Sequence, residues 1–130
     1  MNLHLQEKVI IVSGGAKGIG EGIATLLAQE GAIPVIIGRD ENDNNKFVAS
    51  LQANGYKAGQ VVAELSDPLQ CENAIKQIVA NYGRIDGLVN NAGVNDTINL
   101  ENGNYEGFMS SLHKNVVHYY LLAHHALPYI

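Results

Sequence analysis

The stretch Lys8-Val9-Ile10-Ile11-Val12 followed by Ser13-Gly14-Gly15-Ala16-Lys17-Gly18-Ile19-Gly20 constrains this chain more than any other. A short unbroken run of β-branched residues suits a strand buried on both faces of a parallel sheet. After the glycines, Ile19, Ile23, Leu26 and Leu27 recur at helical spacing and read as the apolar face of a helix. Strand, glycine turn and helix together make a phosphate cradle. A turn without side chains lets backbone N–H groups approach a pyrophosphate, and the positive end of the following helix favours its charge. The spacing of Gly14, Gly18 and Gly20 is G-x-x-x-G-x-G, and no Gly-Lys-Ser/Thr follows, which excludes a P-loop. A plain tight turn is the competing reading, but a short βα loop rarely needs so many glycines.

The rest of the chain alternates strand and helix. The first helix ends at Glu30-Gly31, and Pro34–Ile37 reads as strand two. A polar loop, 38–45, runs into a helix carrying Phe47 and Leu51 that stops near Gly55. Strand three spans Lys57 to Ala63. Asp67-Pro68-Leu69-Gln70 opens a helix, with Asp67 as cap, Pro68 in the first turn and Gln70 closing a capping box. Cys71, Ile75, Ile78, Val79 and Tyr82 mark its buried face, and Gly83 ends it. Strand four is Gly87–Asn90, an asparagine-rich loop covers 94–104, and one long helix runs from Tyr105 to Leu127, broken at Pro128. This order predicts an α/β fold: a Rossmann-type, doubly wound parallel sheet in three α-β-α layers, strand order 3-2-1-4. The ligand crevice falls where strands one and four diverge, with the glycine loop, Arg39, Glu64 and Asn91-Ala92-Gly93 at one carboxyl edge.

Composition narrows the partners. A net charge of −5 with no basic cluster argues against nucleic acid, and no apolar run is long enough for a membrane span. Cys71 is the single cysteine, so a disulfide framework and a cysteine metal site are excluded; a small core residue in a cytoplasmic protein fits it. The histidines form no His-x-x-x-His pair, and no metal is expected. Nothing at the N-terminus resembles a secretion signal.

Four features in register carry a family resemblance: Gly14-x-x-x-Gly18-x-Gly20, Glu64 after strand three, Asn90-Asn91-Ala92-Gly93 after strand four, and Asn115 in the last helix. The chain resembles the N-terminal half of a short-chain dehydrogenase/reductase, with Ser13 where Thr is commoner and Glu64 where Asp is usual. The resemblance implies an NAD(P)-dependent oxidoreductase of alcohols. It gives Gly14, Lys17, Gly18, Ile19 and Gly20 the cofactor phosphates and nearby ribose, Glu64 and Leu65 the border of the adenine, and Asn91, Ala92 and Gly93 the crossing of strand four. Asn115 matches the family's catalytic asparagine, which positions a water in a proton relay; taken alone it reads as a solvent-facing helix residue. NAD-specific members place an acid at the end of strand two. Here Gly38 stands there and Arg39 follows, so NADP is the expected cofactor, with Lys17 and Arg39 flanking its 2′-phosphate. NAD is the alternative, through Asp40 or Glu41.

A closer likeness, carried by Asn91-Ala92-Gly93-Val94-Asn95-Asp96 and by the run from Ser111 to His124, is to bacterial aldose dehydrogenases of the L-fucose dehydrogenase type. It implies oxidation of a sugar's anomeric hydroxyl to a lactone, with Asn95, Asp96 and His118 as sugar contacts; a hydrophilic loop and a helix-face histidine is the equal alternative. The family's Ser and Tyr-x-x-x-Lys do not follow Asn115 here. Residues 1–130 are therefore expected to be one dinucleotide-binding domain cut before strand five and inactive by itself, or else a non-catalytic dinucleotide-binding module or sensor. The final helix is apolar around more than half its circumference, which calls for a second partner. The resemblance implies a copy of the same helix across a two-fold axis, and so a homodimer or homotetramer, with cover by a further part of the same chain as the competing explanation.

Overall fold

The computed structural model describes every residue from Met1 to Ile130. Four parallel strands, β1 (Val9–Ser13), β2 (Ile33–Gly38), β3 (Gly59–Val62) and β4 (Gly87–Val89), lie in the order β3-β2-β1-β4. The expected α/β architecture is thus observed. Val12 pairs with Ile36 on one side and Val89 on the other, which aligns the carboxyl ends of the strands.

Alternation along the strands feeds two cores. On one face Val9, Ile11, Val35, Ile37, Val61 and Ala63 pack against Cys71, Ala74, Ile75 and Ile78 of α3 (Pro68–Tyr82) and Leu122 and Ala126 of the last helix. On the other, Val12 and Ile36 meet Ala24 and Ala28 of α1 (Gly18–Gln29) and Phe47, Val48 and Leu51 of α2 (Glu41–Ala53). The buried stripe of α1 departs from expectation. Ile19 and Leu26 are exposed, and Gly20, Ala24 and Ala28 do the packing with Ile23 and Leu27 beside them. Small residues let the helix axis approach the sheet more closely than an Ile–Leu face would allow.

Three boundaries also move. Asp40 accepts from the Asp43 N–H at 3.0 Å, so α2 starts at Glu41 and most of the anticipated polar loop is its first turns. Asp67 does cap α3, taking the Leu69 N–H at 3.0 Å, but Gln70 closes no box. The Asp67 N–H already donates to the Glu64 carbonyl, and Gln70 instead accepts from the Glu64 N–H at 2.7 Å. The last helix is three pieces: α4 (Tyr105–Leu112), a π-helical turn (His113–Val117) and α5 (His118–Ala126), with a 3-10 turn through Pro128. Side chains explain the π turn. Asn115 Nδ2 donates to the Ser111 carbonyl (3.0 Å), and His118 Nε2 lies 2.9 Å from the Lys114 carbonyl. Each ring or amide takes the carbonyl that its own backbone N–H would hold in an α-helix.

Asp86 fastens the start of the sheet. Its Oδ2 accepts the Val9 N–H at 2.8 Å, and its backbone N–H donates to the Val9 carbonyl. The Arg84 guanidinium, bonded to both carboxylate oxygens, holds the carboxyl below its ordinary value of 3.8. A depressed folded value contributes stability that is present above the unfolded value and lost as pH falls through the folded one. Asp86→Asn should therefore cost about 1 kcal/mol at neutral pH, a figure already discounted for the exposure of Arg84. The difference between variant and wild type should be full above about pH 4 and shrink progressively as pH falls further, as read from urea midpoints across pH.

Candidate functional site

The turn after β1 is bolted to the loop after β4. Ser13 Oγ accepts the N–H groups of Asn91 (3.0 Å) and Ala92 (3.1 Å). Asn91 Nδ2 returns the contact, donating to the carbonyls of Ser13 (3.1 Å) and Gly14 (3.2 Å). Two glycines make this close approach possible. Gly14 has φ +67°, and a Cβ there would stand 2.9 Å from Ala92 Cα. A Cβ on Gly20 would stand 2.3 Å from the Gly14 carbonyl oxygen.

Above this bolt the carboxyl ends of all four strands open into a cleft of about 470 Å³. One wall is the glycine loop with Gly14, Lys17 and Gly18. The end of β2 supplies Gly38, Arg39 and Asp40, with Asp43 and Asn44 behind them. Glu64, Leu65 and Ser66 follow β3, and Asn91 to Val94 follow β4. Lys114 and His118 close the far end. The lining holds no tyrosine.

The start of α1 faces this space uncapped. Asp40, Asp67 and Asn104 each cap a helix with a side chain, whereas Lys17 at the start of α1 makes no such bond. The first backbone N–H of α1 to find a helical partner is that of Glu21, on the Lys17 carbonyl. The N–H groups of Gly18, Ile19 and Gly20 are left for an anion.

The charges in the cleft are unevenly committed. Lys17 Nζ lies 2.7 Å from Asp43 Oδ2, and that hydrogen bond, with the charge behind it, raises the ammonium's pKa. One oxygen of Asp40 is spent on the α2 cap. Arg39 is exposed and in no ion pair, so it is the free cation at the end of β2.

The anticipated site residues divide. Gly14, Lys17, Gly18, Arg39, Glu64, Leu65, Asn91, Ala92, Gly93 and His118 line the cleft; Ile19, Gly20, Asn95, Asp96 and Asn115 do not. Ile19 points its side chain to solvent and brings only its N–H, and Gly20 works from beneath the turn. Asn91 spends its amide on the β1 turn. Asn95 Oδ1 accepts the Thr97 N–H at 2.9 Å, a local turn that occupies the group expected to meet substrate. Asp96 is drawn instead towards Lys114, 3.7 Å away, with Oδ2 buried and unpartnered. His118 is buried, not on an open helix face; its Nε2 donates to the Lys114 carbonyl, and its Nδ1 is buried without a partner. Asn115 is not solvent-facing either. Its Oδ1 takes the Val94 N–H at 2.7 Å, tethering the β4 loop to the π turn. Asp43, Asn44, Ser66 and Lys114 are lining residues that sequence reading missed. For Asn44 there was no signal, because nothing distinguishes it from its polar neighbours before α2 is docked.

A parallel sheet in 3-2-1-4 order with a glycine turn at its switch point and an uncapped helix aimed into the crevice defines a Rossmann-type α/β protein. The short chain dehydrogenase family model matches residues 8–130, and the chain belongs to that family. It is 33% identical over 129 residues to hydroxynaphthalene reductase arp2 of Aspergillus fumigatus, covering 98% of this chain and 47% of that protein. Among solved structures, the Cj0485 dehydrogenase is 39% identical with a TM-score of 0.89, covering 100% of this chain and 49% of the other. The L-sorbose reductase of Gluconobacter frateurii, complexed with NADPH and L-sorbose, is 26% identical with a TM-score of 0.92, covering 98% and 49%. The chain thus spans about half the length of the proteins it matches. No helix is long and apolar enough to cross a membrane, and no group of three metal-ligating side chains comes together.

Proposed function

We propose that these 130 residues are the cofactor-binding half of an NADP-dependent oxidoreductase acting on a sugar or other alcohol. One observation carries the reading: the uncapped N-terminus of α1 opens into the same cleft as Arg39, the free cation at the end of β2. The free N–H groups of Gly18, Ile19 and Gly20 fit a pyrophosphate. Arg39 fits a 2′-phosphate, which its fork can grip by charge-assisted bonds. Glu64 and Leu65 border the adenine, and Ala92 and Gly93 leave room for the dinucleotide to cross β4. NADP, when bound, supplies the hydride acceptor. NADPH in the L-sorbose reductase, on a matching fold, supports the choice over NAD.

The substrate end lies towards Lys114 and His118. Asp96, 3.7 Å from Lys114, and Asn95, on the same loop, are the further polar groups assigned to it. The finer form of the proposal is oxidation of an L-fucose-type aldose to its lactone, and the sugar-binding neighbour supports a polyol in that place. The general acid/base tyrosine, with its serine and lysine, is assigned to the remainder of the protein. The test is a spectrophotometric assay of nicotinamide reduction by the full-length protein against L-fucose, other aldoses and simple secondary alcohols. Tight NADP+ binding with no turnover on any of them would favour a non-catalytic dinucleotide sensor.

We assign Asn115, which ties the β4 loop to the π turn, to the proton relay on the family resemblance. Asn115→Leu should lower kcat by about tenfold or more while the NADP+ Kd stays within about twofold. Unchanged turnover would reduce it to a structural tether.

The helical face bearing Val116, Tyr120 and Leu127, all exposed, supports homodimer or homotetramer formation, in a protein that we place in the cytoplasm. Light scattering checks this: an oligomer for the full-length protein, dissociated by Tyr120→Glu, is the expected result, and a clean monomer overturns it.

A further inference from the structure

Asn44 is a buried amide inside the cofactor cleft that the binding scheme above does not use. It is 1% exposed and lies on the first turn of α2, directly behind the end of β2. Its orientation is fixed by acceptors. Nδ2 donates to the Gly38 carbonyl (3.0 Å) and to Gln60 Oε1 (3.2 Å), with the Val61 carbonyl at 3.5 Å. Three acceptors around one nitrogen leave no room for a flipped amide. Oδ1 is therefore driven the other way, buried and without a donor.

That oxygen points at residue 38. A Cβ built on Gly38 would stand 2.5 Å from Asn44 Oδ1, and 3.3 Å from Cγ and Nδ2. Such an approach requires a shift, and the amide held by β2 and β3 has nowhere to go. Residue 38 is also where an acid would stand to bind the ribose hydroxyls of NAD, some twenty residues past the glycine loop.

We infer that Asn44 is a specificity-determining positioning residue: its amide occupies the space of a side chain on residue 38, holds that residue as glycine, and so keeps a ribose-binding acid out of the cleft. The inference rests on the proposed dinucleotide site. The amide acts by exclusion, and Arg39 then meets the 2′ position without a competing carboxylate. Removing it leaves the Gly38 carbonyl satisfied, because that oxygen also accepts the Ala63 N–H at 3.1 Å.

The test is a double-mutant cycle on the full-length protein, with Gly38→Asp made alone and with Asn44→Ala, reading thermal midpoint and the Kd values of NAD+ and NADP+. In the Asn44 background Gly38→Asp should lower the midpoint by about 5 °C or more and gain little NAD+ affinity. In the Asn44→Ala background the same change should cost about 2 °C or less and tighten NAD+ by about tenfold relative to Asn44→Ala alone. Equal midpoint losses and equal NAD+ gains in the two backgrounds would overturn the inference. Should Gly38→Asp fail to fold alone, Gly38→Ala carries the same midpoint comparison, and an equal loss with and without Asn44 is again fatal. A wild-type protein that binds neither dinucleotide would sink the proposed function, and with it any role of Asn44 in cofactor choice. The midpoints would still report the Asn44–Gly38 contact separately.

Discussion

Arg39→Asp is expected to weaken NADP+ binding by about 100-fold while leaving NAD+ within about threefold, measured by titration of the full-length protein. The size follows from what the substitution removes and adds. Arg39 is the cation without an ion-pair partner at the end of β2, and the β2 terminus itself, Gly38, offers no side chain. Lys17 cannot replace it at full strength, since its ammonium is already 2.7 Å from Asp43. The new carboxylate would repel the 2′-phosphate and accept from the 2′-hydroxyl of NAD+, so the two dinucleotides should part company. Added salt should narrow the gap in the wild type, because Arg39 is exposed and its attraction is screened. Equal losses for both cofactors would place the 2′ end elsewhere in the cleft and remove the reason for preferring NADP.

Local rules reached as far as local forces decide. The sheet order was legible because β-branched runs at Val9–Val12 and Val35–Ile37 alternate with helices, and only a parallel crossover topology accommodates that alternation. Asp67 and Gly83 bound α3 as anticipated, since cap and left-handed stop act within one turn; Gly83 has φ +73°. Long-range contacts were not legible. Gln70 abandoned its box for Glu64 because the Asp67 N–H had been taken by a neighbouring carbonyl. The buried face of α1 runs through Gly20, Ala24 and Ala28, and a reading that ranks positions by hydrophobicity puts Ile19 and Leu26 inside instead. The π turn around Asn115 arises from two side chains competing with the backbone ladder, which no periodicity records. In the site, the glycine loop and the residues after β3 and β4 were foreseen because they sit at strand ends. Lys17–Asp43, Lys114–Asp96 and the burial of Asn44 depend on how α2 and the π turn dock.

Gly20→Ala should be the most damaging methyl that can be added to the site. The new carbon would stand 2.3 Å from the Gly14 carbonyl oxygen and 2.5 Å from Asn91 Nδ2. Neither neighbour is a free side-chain end: one is backbone, and the other is the amide that ties the Ser13 and Gly14 carbonyls to the β4 loop. Relief requires the glycine turn to lift off α1, which separates the phosphate-binding N–H groups from the β4 wall. The expected cost is about 1–3 kcal/mol in stability, from urea denaturation, as for other overpacked sites. Dinucleotide affinity should fall by about tenfold or more, because the N–H groups no longer converge on the same phosphate. Gly22→Ala, two residues further along the same helix and so on its other face, is the control. Its Cβ would meet nothing within 4 Å, so it should stabilise by up to about 1 kcal/mol through helix propensity and leave affinity alone. Gly18→Ala separates strain from crowding, for Gly18 has open space but φ +58° and should lose only about 1–2 kcal/mol. If Gly20→Ala proved as stable as Gly22→Ala, the turn would not be resting on α1 at Gly20. The third glycine of the Gly14-x-x-x-Gly18-x-Gly20 motif would then have to be explained by ligand contact alone.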